Sequence, residues 1–297
     1  MSAAVVMIAQ VLVQLDELID RYELPLGRWV DQAVDWANRN LGWLFDGIKW
    51  PIAQVLDSTE WLLQTAPWYL VVIAIGVIAW RMQGPRTALL FMGLMVFMGF
   101  LSVDLWRFAM TTVAMIVTAV IICTIVGIPL GIWAASKDSV EATIRPILDA
   151  MQTIHPFIYL LPVAFFFGIG KVPGTIATVI FALPPIVRLT NLGIRQVPKE
   201  TVEAAHAFGS TDRQTLWEVQ LPLARPAIMA GLNQTLMLSL SMVVIAAIIA
   251  GGGLGQLILR AVQRVDIPSA TNSGLAVLII AIILDRLSQT QRKQPSE

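Results

Sequence analysis

Charge-free stretches alternate with short charged ones through most of this chain. They fall at residues 61–80, 87–103, 108–136, 150–170, 172–187, 226–259 and 267–284. A helix of about 20 apolar residues crosses a bilayer. The pattern therefore predicts an all-α polytopic membrane protein with about seven transmembrane helices. The sixth window is too long for one crossing, and its Gly251-Gly252-Gly253-Leu254-Gly255 end is expected to leave the membrane as a turn at a helix end. Pro129, Pro156, Pro162, Pro184 and Pro185 lie inside the windows, where each removes a backbone donor and bends its helix.

Residues 1–60 follow a different period. Trp29, Trp36, Trp43 and Trp50 recur every seven residues. At roughly 100° per residue, Val30, Ala33, Val34, Ala37, Leu41, Leu44, Phe45 and Ile48 gather on one arc. Asp31, Asp35, Asn38, Arg39, Asp46 and Lys49 take the opposite side, and the tryptophans line a border between them. Tryptophan favours the headgroup level, so an N-terminal amphipathic helix lying in the interface is expected. Packing on the edge of the bundle is the plainer alternative. Asn40 and Gly47 near the stripe argue against a coiled coil.

Between the fifth and sixth windows, residues 203–222 read EAAHAFGSTDRQTLWEVQLP. Pro198 suits the first turn of a helix, where its missing donor is no loss. A helix over residues 198–208 should end at Gly209 with positive φ. Thr211 and Gln214 have capping-box spacing and open a second helix, which Pro222 and Pro226 are expected to limit. Ala204, Ala205 and Ala207 leave a low profile for a partner surface, and Glu203 offers an anionic handle. A DNA-binding helix-turn-helix also places alanine four residues before glycine. Here Thr215 stands where that motif wants an apolar residue, and apolar windows flank the element on both sides.

Composition sharpens this picture. Of 297 residues, 57% are hydrophobic and 13% charged, against roughly 25% charged in a soluble domain. Mean hydropathy is +0.73. Such a chain cannot cover a water-facing surface. Its net charge is zero, so bulk electrostatics says nothing about nucleic acid. Cys123 is the one cysteine, and His155 and His206 belong to no ligand-spaced cluster, so neither an internal disulfide nor a metal site is expected. The first apolar stretch has no basic region before it, and Asp16, Glu17 and Asp20 follow, which argues against a cleavable signal. Arg81, Arg86, Lys137, Arg145, Arg188, Arg195, Lys199, Arg213, Arg225, Arg286, Arg292 and Lys293 fall on one side of the seven crossings. This bias puts the N-terminus outside, and residues 203–222 and the C-terminus in the cytoplasm.

No nucleotide motif accompanies these features. Gly168, Gly170, Lys171 and Gly174 lack phosphate-loop spacing, and Val172 follows the lysine. The glycines at 251–255 lack the strand that would precede a dinucleotide site. Any ATP that drives this protein is expected to be bound elsewhere.

The pattern Glu203-Ala204-Ala205, three residues, Gly209, nine residues, Val219, one residue, Leu221-Pro222 resembles the EAA signature of permease subunits of bacterial ABC importers. The likeness narrows between about Arg145 and Gln289. There RPILDAMQTIHPFIYLLPV, FGIGKVPGTIATVIFALPPIVRLTNLGI, NQTLMLSLSMVVIAAIIAGGGLGQLILR and AIILDRLSQ look like the permease of glycine betaine/proline betaine importers. Before about Met110 the likeness is one of layout. The resemblance implies an N-terminal region over residues 1–60, accessory transmembrane helices over 61–106, a type I ABC importer core over 107–290, a coupling loop at 195–222 and a cytoplasmic tail at 291–297. It implies a non-catalytic subunit of the bacterial cytoplasmic (inner) membrane, paired with a second copy of itself. Two ATP-binding subunits would use ATP and Mg on its loops, and a periplasmic or lipid-anchored solute-binding protein would deliver cargo. That cargo would be glycine betaine, proline betaine, choline or carnitine.

Candidate path residues are less distinctive. Asp149, Gln152 and His155 share one helical face, facing either a path or cytoplasmic water. Asn233, Gln234, Ser239 and Ser241 either face a path or bond neighbouring helices. Trp133, Phe157, Tyr159 and Phe165 offer aromatic faces of the kind a quaternary ammonium favours. Three rival readings stand beside the main one. A permease of this architecture could carry another small solute, such as methionine or an organosulfonate. An ion-driven secondary transporter would need intramembrane carboxylates or an inverted repeat, and only Asp104 and Asp149 lie near span ends. A structural scaffold subunit is the third.

Overall fold

The computed structural model describes residues 26–250 and 252–288. Expectations for residues 1–25, Gly251 and 291–297 lie outside the described residues. All regular structure among them is helical: α1 Leu26–Thr65, α2 Trp68–Gln83, α3 Pro85–Leu101, α4 Val103–Ser136, α5 Asp138–Thr153, α6 Pro156–Phe167, α7 Lys171–Arg195, α8 Lys199–Ala207, α9 Asp212–Gln214, a π-helical segment Thr215–Gln220, α10 Leu221–Ala250, α11 Gly253–Arg264 and α12 Ile267–Ser288.

The chain divides into two units, Met1–Leu44 and Phe45–Glu297. The described part of the first is helical, with Trp29, Trp36 and Trp43 all exposed. Its polar side is stitched along the helix by an Asp35–Arg39 pair at 3.8 Å and by Asn40 donating to the Trp36 carbonyl at 2.8 Å.

Among the described residues of the second unit, four helices are long and apolar enough to cross a membrane: Asp104–Ser136, Lys171–Arg195, Asp212–Ala247 and Ile267–Ser288. There are up to six if each of two bent pairs makes one span. Those bends cut two of the seven windows. The window at 61–80 breaks at Ala66 and Pro67, where the axis turns by 106°. The window at 150–170 breaks at Ile154 and His155, where it turns by 103°. Proline explains the second break. Its ring disfavours helical geometry at the preceding residue, and His155 takes φ −62°, ψ 138° ahead of Pro156. The His155 Nδ1 then accepts from the Phe157 amide at 3.4 Å. Pro129, Pro162, Pro184 and Pro185 remain inside continuous helices.

Helix α7 is the centre of the packing. Of its apolar window 61% is buried, against 28–39% for the other three long helices. It meets α4 and α10 where side chains are missing. A Cβ built on Gly131 of α4 would lie 2.5 Å from the Thr190 Cβ of α7, and Gly127 sits one turn earlier against Ile186 and Leu183. On the other flank, a Cβ on Gly193 would lie 2.7 Å from Ala227, and one on Gly231 3.1 Å from the Ile186 Cα. Polar side chains supplement this contact. Thr235 donates to the Ala182 carbonyl at 3.0 Å, between α10 and α7.

Helices α2 and α3 form an accessory layer. Val71, Val72, Ala79, Ala88, Phe91, Met95 and Met98 are buried in one cluster with Leu105 and Met110 of α4 and Ile279, Ile280 and Ile283 of α12. At the far end of α10 the chain turns at Gly253, φ +68°, and the Leu254 amide donates to Thr112 Oγ1 at 2.8 Å. A Cβ on Gly255 would lie 2.5 Å from the Ala247 Cβ. The described part of the glycine cluster is thus a turn at a helix end with close packing. Beyond α11, Asp266 accepts from the Ser269 amide and hydroxyl, which holds its carboxyl below the ordinary value.

Overpacking costs about 1–3 kcal/mol where a core is tight. Gly131→Leu should therefore lower the midpoint of thermal unfolding in detergent clearly. Gly93→Ala, whose added Cβ meets nothing within 4 Å, should leave it nearly unchanged. Equal midpoints for both variants would remove the close-approach account.

Candidate functional site

The polar element between α7 and α10 is built from local capping. Pro198 is the N-cap residue of α8 rather than its first helical residue, with φ −54° and ψ 132°. Helix α8 runs only nine residues. It closes with the Gly209 amide donating to His206 O at 2.9 Å and the Ser210 amide to Ala205 O at 3.1 Å. That pair of bonds is the Schellman arrangement, and it puts Gly209 at φ +88°. Thr211 then forms a full capping box: its hydroxyl accepts from the Gln214 amide at 3.4 Å, and its amide donates to Gln214 Oε1 at 3.0 Å.

The second helix does not stop at Pro222 and Pro226. It continues from Asp212 through the π segment into α10, with Pro226 inside. The Leu221 amide reaches back five residues to Leu216 O. The wider turn supplies slack just before Pro222, which has no amide to donate.

Each signature residue has a defined place. Glu203 lines a cleft with Ser136, Arg195, Lys199, Val202 and Gln220. Ala204 and Gly209 are exposed and Ala205 is half-buried. Val219 and Leu221 are half-buried, and Pro222 is exposed. Sequence reading passed over Phe208, which sits at the tip of the turn 92% exposed, with Trp217 exposed at 59%. An uncovered phenylalanine beside a capping glycine, in a polar segment, is the signal that would have found it.

The base of this element is fastened by charge. Arg195 ends α7 and pairs with Asp138 at 2.7 Å and Glu141 at 3.0 Å, both on α5. It also donates to Ala134 O at 2.9 Å and Asn191 Oδ1 at 2.8 Å. Asp149 pairs with Arg188 of α7 at 2.5 Å. A second polar node ties together the ends of the helices opposite Arg195. Glu60 accepts from Lys171 at 2.6 Å, Gln64 at 2.7 Å and Thr111 at 2.8 Å. The lysine in the glycine-rich segment 168–174 is therefore an ion-pair partner.

The candidate path residues fall in two groups. Asp149 and Gln152 lie before the α5–α6 bend and Tyr159 after it, where the Tyr159 hydroxyl donates to the Ala150 carbonyl at 3.2 Å and to that of Met151. Gln152 is exposed there, and the His155 ring stacks on Phe157 at 5.4 Å. On α10, Gln234 and Ser241 are seven residues apart on one exposed face, and Ser241 donates back to Met237 O at 3.2 Å. Asn233 points elsewhere and accepts from Ser288 of α12. Ser239 is buried and donates to Thr235 O at 2.8 Å. Trp133, Phe157 and Phe165 are exposed. Among the described residues, no three His, Cys, Asp or Glu gather in a metal-holding group.

Comparison with known proteins follows this geometry closely. The family model described as the binding-protein-dependent transport system inner membrane component matches residues 127–289, from the glycine contacts of α4 to the end of α12. The chain belongs to that family. As an inner membrane component of this kind, it is 47% identical over 266 residues to the glycine betaine/proline betaine transport system permease protein ProW of Escherichia coli, covering 90% of this chain and 75% of the relative. It is 43% identical over 273 residues to the glycine betaine/carnitine transport permease protein GbuB of Listeria monocytogenes, covering 91% and 96%. It is 44% identical over 269 residues to the glycine betaine transport system permease protein OpuAB of Bacillus subtilis, covering 90% and 94%. A solved inward-facing structure of the MetNI methionine ABC transporter superposes with a TM-score of 0.55 at 21% identity, over 61% of this chain and 90% of that one. That likeness concerns the fold alone. This inner membrane component is thus a non-catalytic permease subunit in a multi-pass membrane fold.

A β-branched residue at φ +88° costs about 1–2 kcal/mol. Gly209→Val should raise amide exchange across residues 204–210 by roughly tenfold, read by hydrogen–deuterium exchange. Gly209→Asn should change it little. Equal exchange in both would show that the left-handed turn is not limiting.

Proposed function

We propose that this chain is the membrane-spanning permease of an ATP-driven importer for glycine betaine, proline betaine or a related quaternary amine. The single observation that carries this reading is the match over about nine-tenths of the chain to permeases with those cargoes in their names. The capped element at residues 198–222 supports the energetic half, because a chain without a nucleotide motif needs a docking surface for the work of another subunit.

In this reading the chain crosses the membrane seven times, by α2, α3, α4, the bent α5–α6 pair, α7, α10 and α12. Alternation of helix ends supports that count. Gln83 at the end of α2 donates to Arg286 O near the end of α12, and Arg195 at the end of α7 lies beside the end of α4. Glu60, Thr111 near the start of α4 and Lys171 at the start of α7 meet at the other pole. With the Lys and Arg bias, the N-terminus lies outside and the C-terminus in the cytoplasm. Residues 1–60 form the N-terminal region, with its tryptophan border at headgroup level. Residues 61–106 add accessory helices, and 107–290 form the importer core.

Two copies pair, and the path runs between them. The exposed α10 face with Gln234 and Ser241 borders it, and the α5–α6 bend with Asp149, Gln152 and Tyr159 narrows it. Two ATP-binding subunits dock on the turns at Glu203–Pro222, with Phe208 entering a pocket of each. A truncated aromatic anchor typically costs about 2 kcal/mol or more. A separate binding protein brings the solute from outside.

The test is reconstitution of the chain with its ATP-binding subunits and binding protein in lipid vesicles. Labelled glycine betaine should accumulate with ATP inside, and excess proline betaine or carnitine should compete while methionine should not. Uptake that ignores ATP and follows an ion gradient would sink the coupling half. ATP-dependent uptake of another solute with none of betaine would sink the cargo half. Phe208→Ala should reduce the ATP-binding subunit recovered on purification by at least tenfold at limiting concentration. Undiminished recovery would dismiss Phe208 as an anchor.

A further inference from the structure

Helix α5 is held to the rest of the protein in an unusual way. Its apolar burial is slight, with Leu148 its only buried residue. Its attachment is ionic instead and falls at two points on one face. Asp138 and Glu141 meet Arg195, and Asp149 meets Arg188. Residues 188 and 195 lie seven apart on α7, and 138, 141 and 149 recur at helical spacing on α5, so the two faces run alongside each other.

Of these contacts, the one at Arg195 is the most fully built. The guanidinium there pairs with two carboxylates and donates to one backbone carbonyl and one side-chain amide oxygen. The fork joins the end of α4, through Ala134, to α5 and to its own helix, through Asn191. Two residues beyond Arg195, the chain passes through buried Val197 into Pro198 and α8. At its far end, α5 is fixed to α6 by Tyr159 bonding across the bend. A continuous mechanical route therefore runs from α8 to Arg195, to α5, to the α5–α6 bend. A second route leaves the same element through the π segment into α10 and bypasses α5.

We propose that Arg195 is a positioning residue for transport: it makes the α5–α6 bend follow the coupling helix α8. The proposal rests on the ATP-driven importer reading given above. Without the fork, α5 keeps only its Asp149–Arg188 tie to α7, so movement imposed on α8 reaches α10 but is passed on to α5 incompletely, and the two walls of the path lose their common timing. Hydrolysis then proceeds without matched transport.

The experiment uses the full complex with its ATP-binding subunits and binding protein in lipid vesicles. It compares wild type, Arg195→Ala, Arg195→Lys and the Asp138→Asn, Glu141→Gln double variant, which keeps the arginine and removes its charged partners. Solute taken up per ATP hydrolysed should fall at least tenfold in Arg195→Ala and in the double variant. Arg195→Lys, with charge but no fork, should be intermediate. An unchanged ratio overturns the proposal, including the case where uptake and hydrolysis fall in proportion, as a merely structural role requires.

A second arm needs no cargo. Spin labels at Thr143→Cys on α5 and Lys199→Cys on α8, in a Cys123→Ala background, report their separation with and without trapped nucleotide. The wild-type separation should stay narrow and constant. In Arg195→Ala or the double variant it should broaden or shift when nucleotide binds. Identical distributions in wild type and variants overturn the proposal. A wild-type complex that imports no betaine yet keeps the constant separation would count against the cargo reading alone.

Discussion

Lipid tails are as apolar as leucine, so helices in a membrane gain little by merely hiding apolar side chains from them. What holds α4, α7 and α10 together is close approach. Gly127 and Gly131 let α7 press against α4, and Gly193 and Gly231 let it press against α10. This constraint sets the geometry of everything else. Once α7 is fixed between its neighbours, its last residue fixes where α8 begins. The start of α10 fixes where the same element returns. The polar element is then held at both ends by packed helices.

Charge does a different job. Only 13% of the residues are charged, and the best-built ion pairs lie at opposite ends of α7. Glu60 accepts from three donors with its side chain only 12% exposed. A carboxylate so placed is costly to strip of a partner, which makes this node a pin between α1, α4 and α7. Arg195 at the other end is 32% exposed and reaches two carboxylates. The intervening stretches of α4, α7 and α10 are joined by small residues and hydroxyls.

Local chemistry was legible in the sequence, and direction was not. Gly209 and the Thr211–Gln214 box could be read because a cap is decided within a few residues, and both form as expected. The hydrophobic windows could be read as membrane-embedded. A window measures composition alone, however, and cannot tell a straight helix from one that turns through 103° at His155. Pro222 and Pro226 misled in the opposite sense. A proline need not end a helix: the π segment runs up to Leu221, just before Pro222, and Pro226 sits inside α10 as Pro129, Pro184 and Pro185 sit inside theirs. The ion-pair partners of Asp149, Arg195 and Lys171 lie 39 to 111 residues away in the chain, a separation no local pattern encodes. Asn233 looked like its neighbour Gln234, yet one turns to Ser288 while the other stays exposed, a distinction made by α12.

The uninterrupted helix that starts at Asp212 has a geometrical consequence. It runs 36 residues to Ala247, or about 50 Å at 1.5 Å per residue. For a rod of that length pivoting near one end, a tilt of about 5° displaces the other end by about 4 Å, roughly the width of a methyl group. Small angular changes at the aqueous end are therefore multiplied into distances comparable with a small solute. A break at Pro222 or Pro226 would have divided that gain by letting the two pieces turn independently. By keeping the rod whole, the wide turn at Thr215–Gln220 preserves the multiplication.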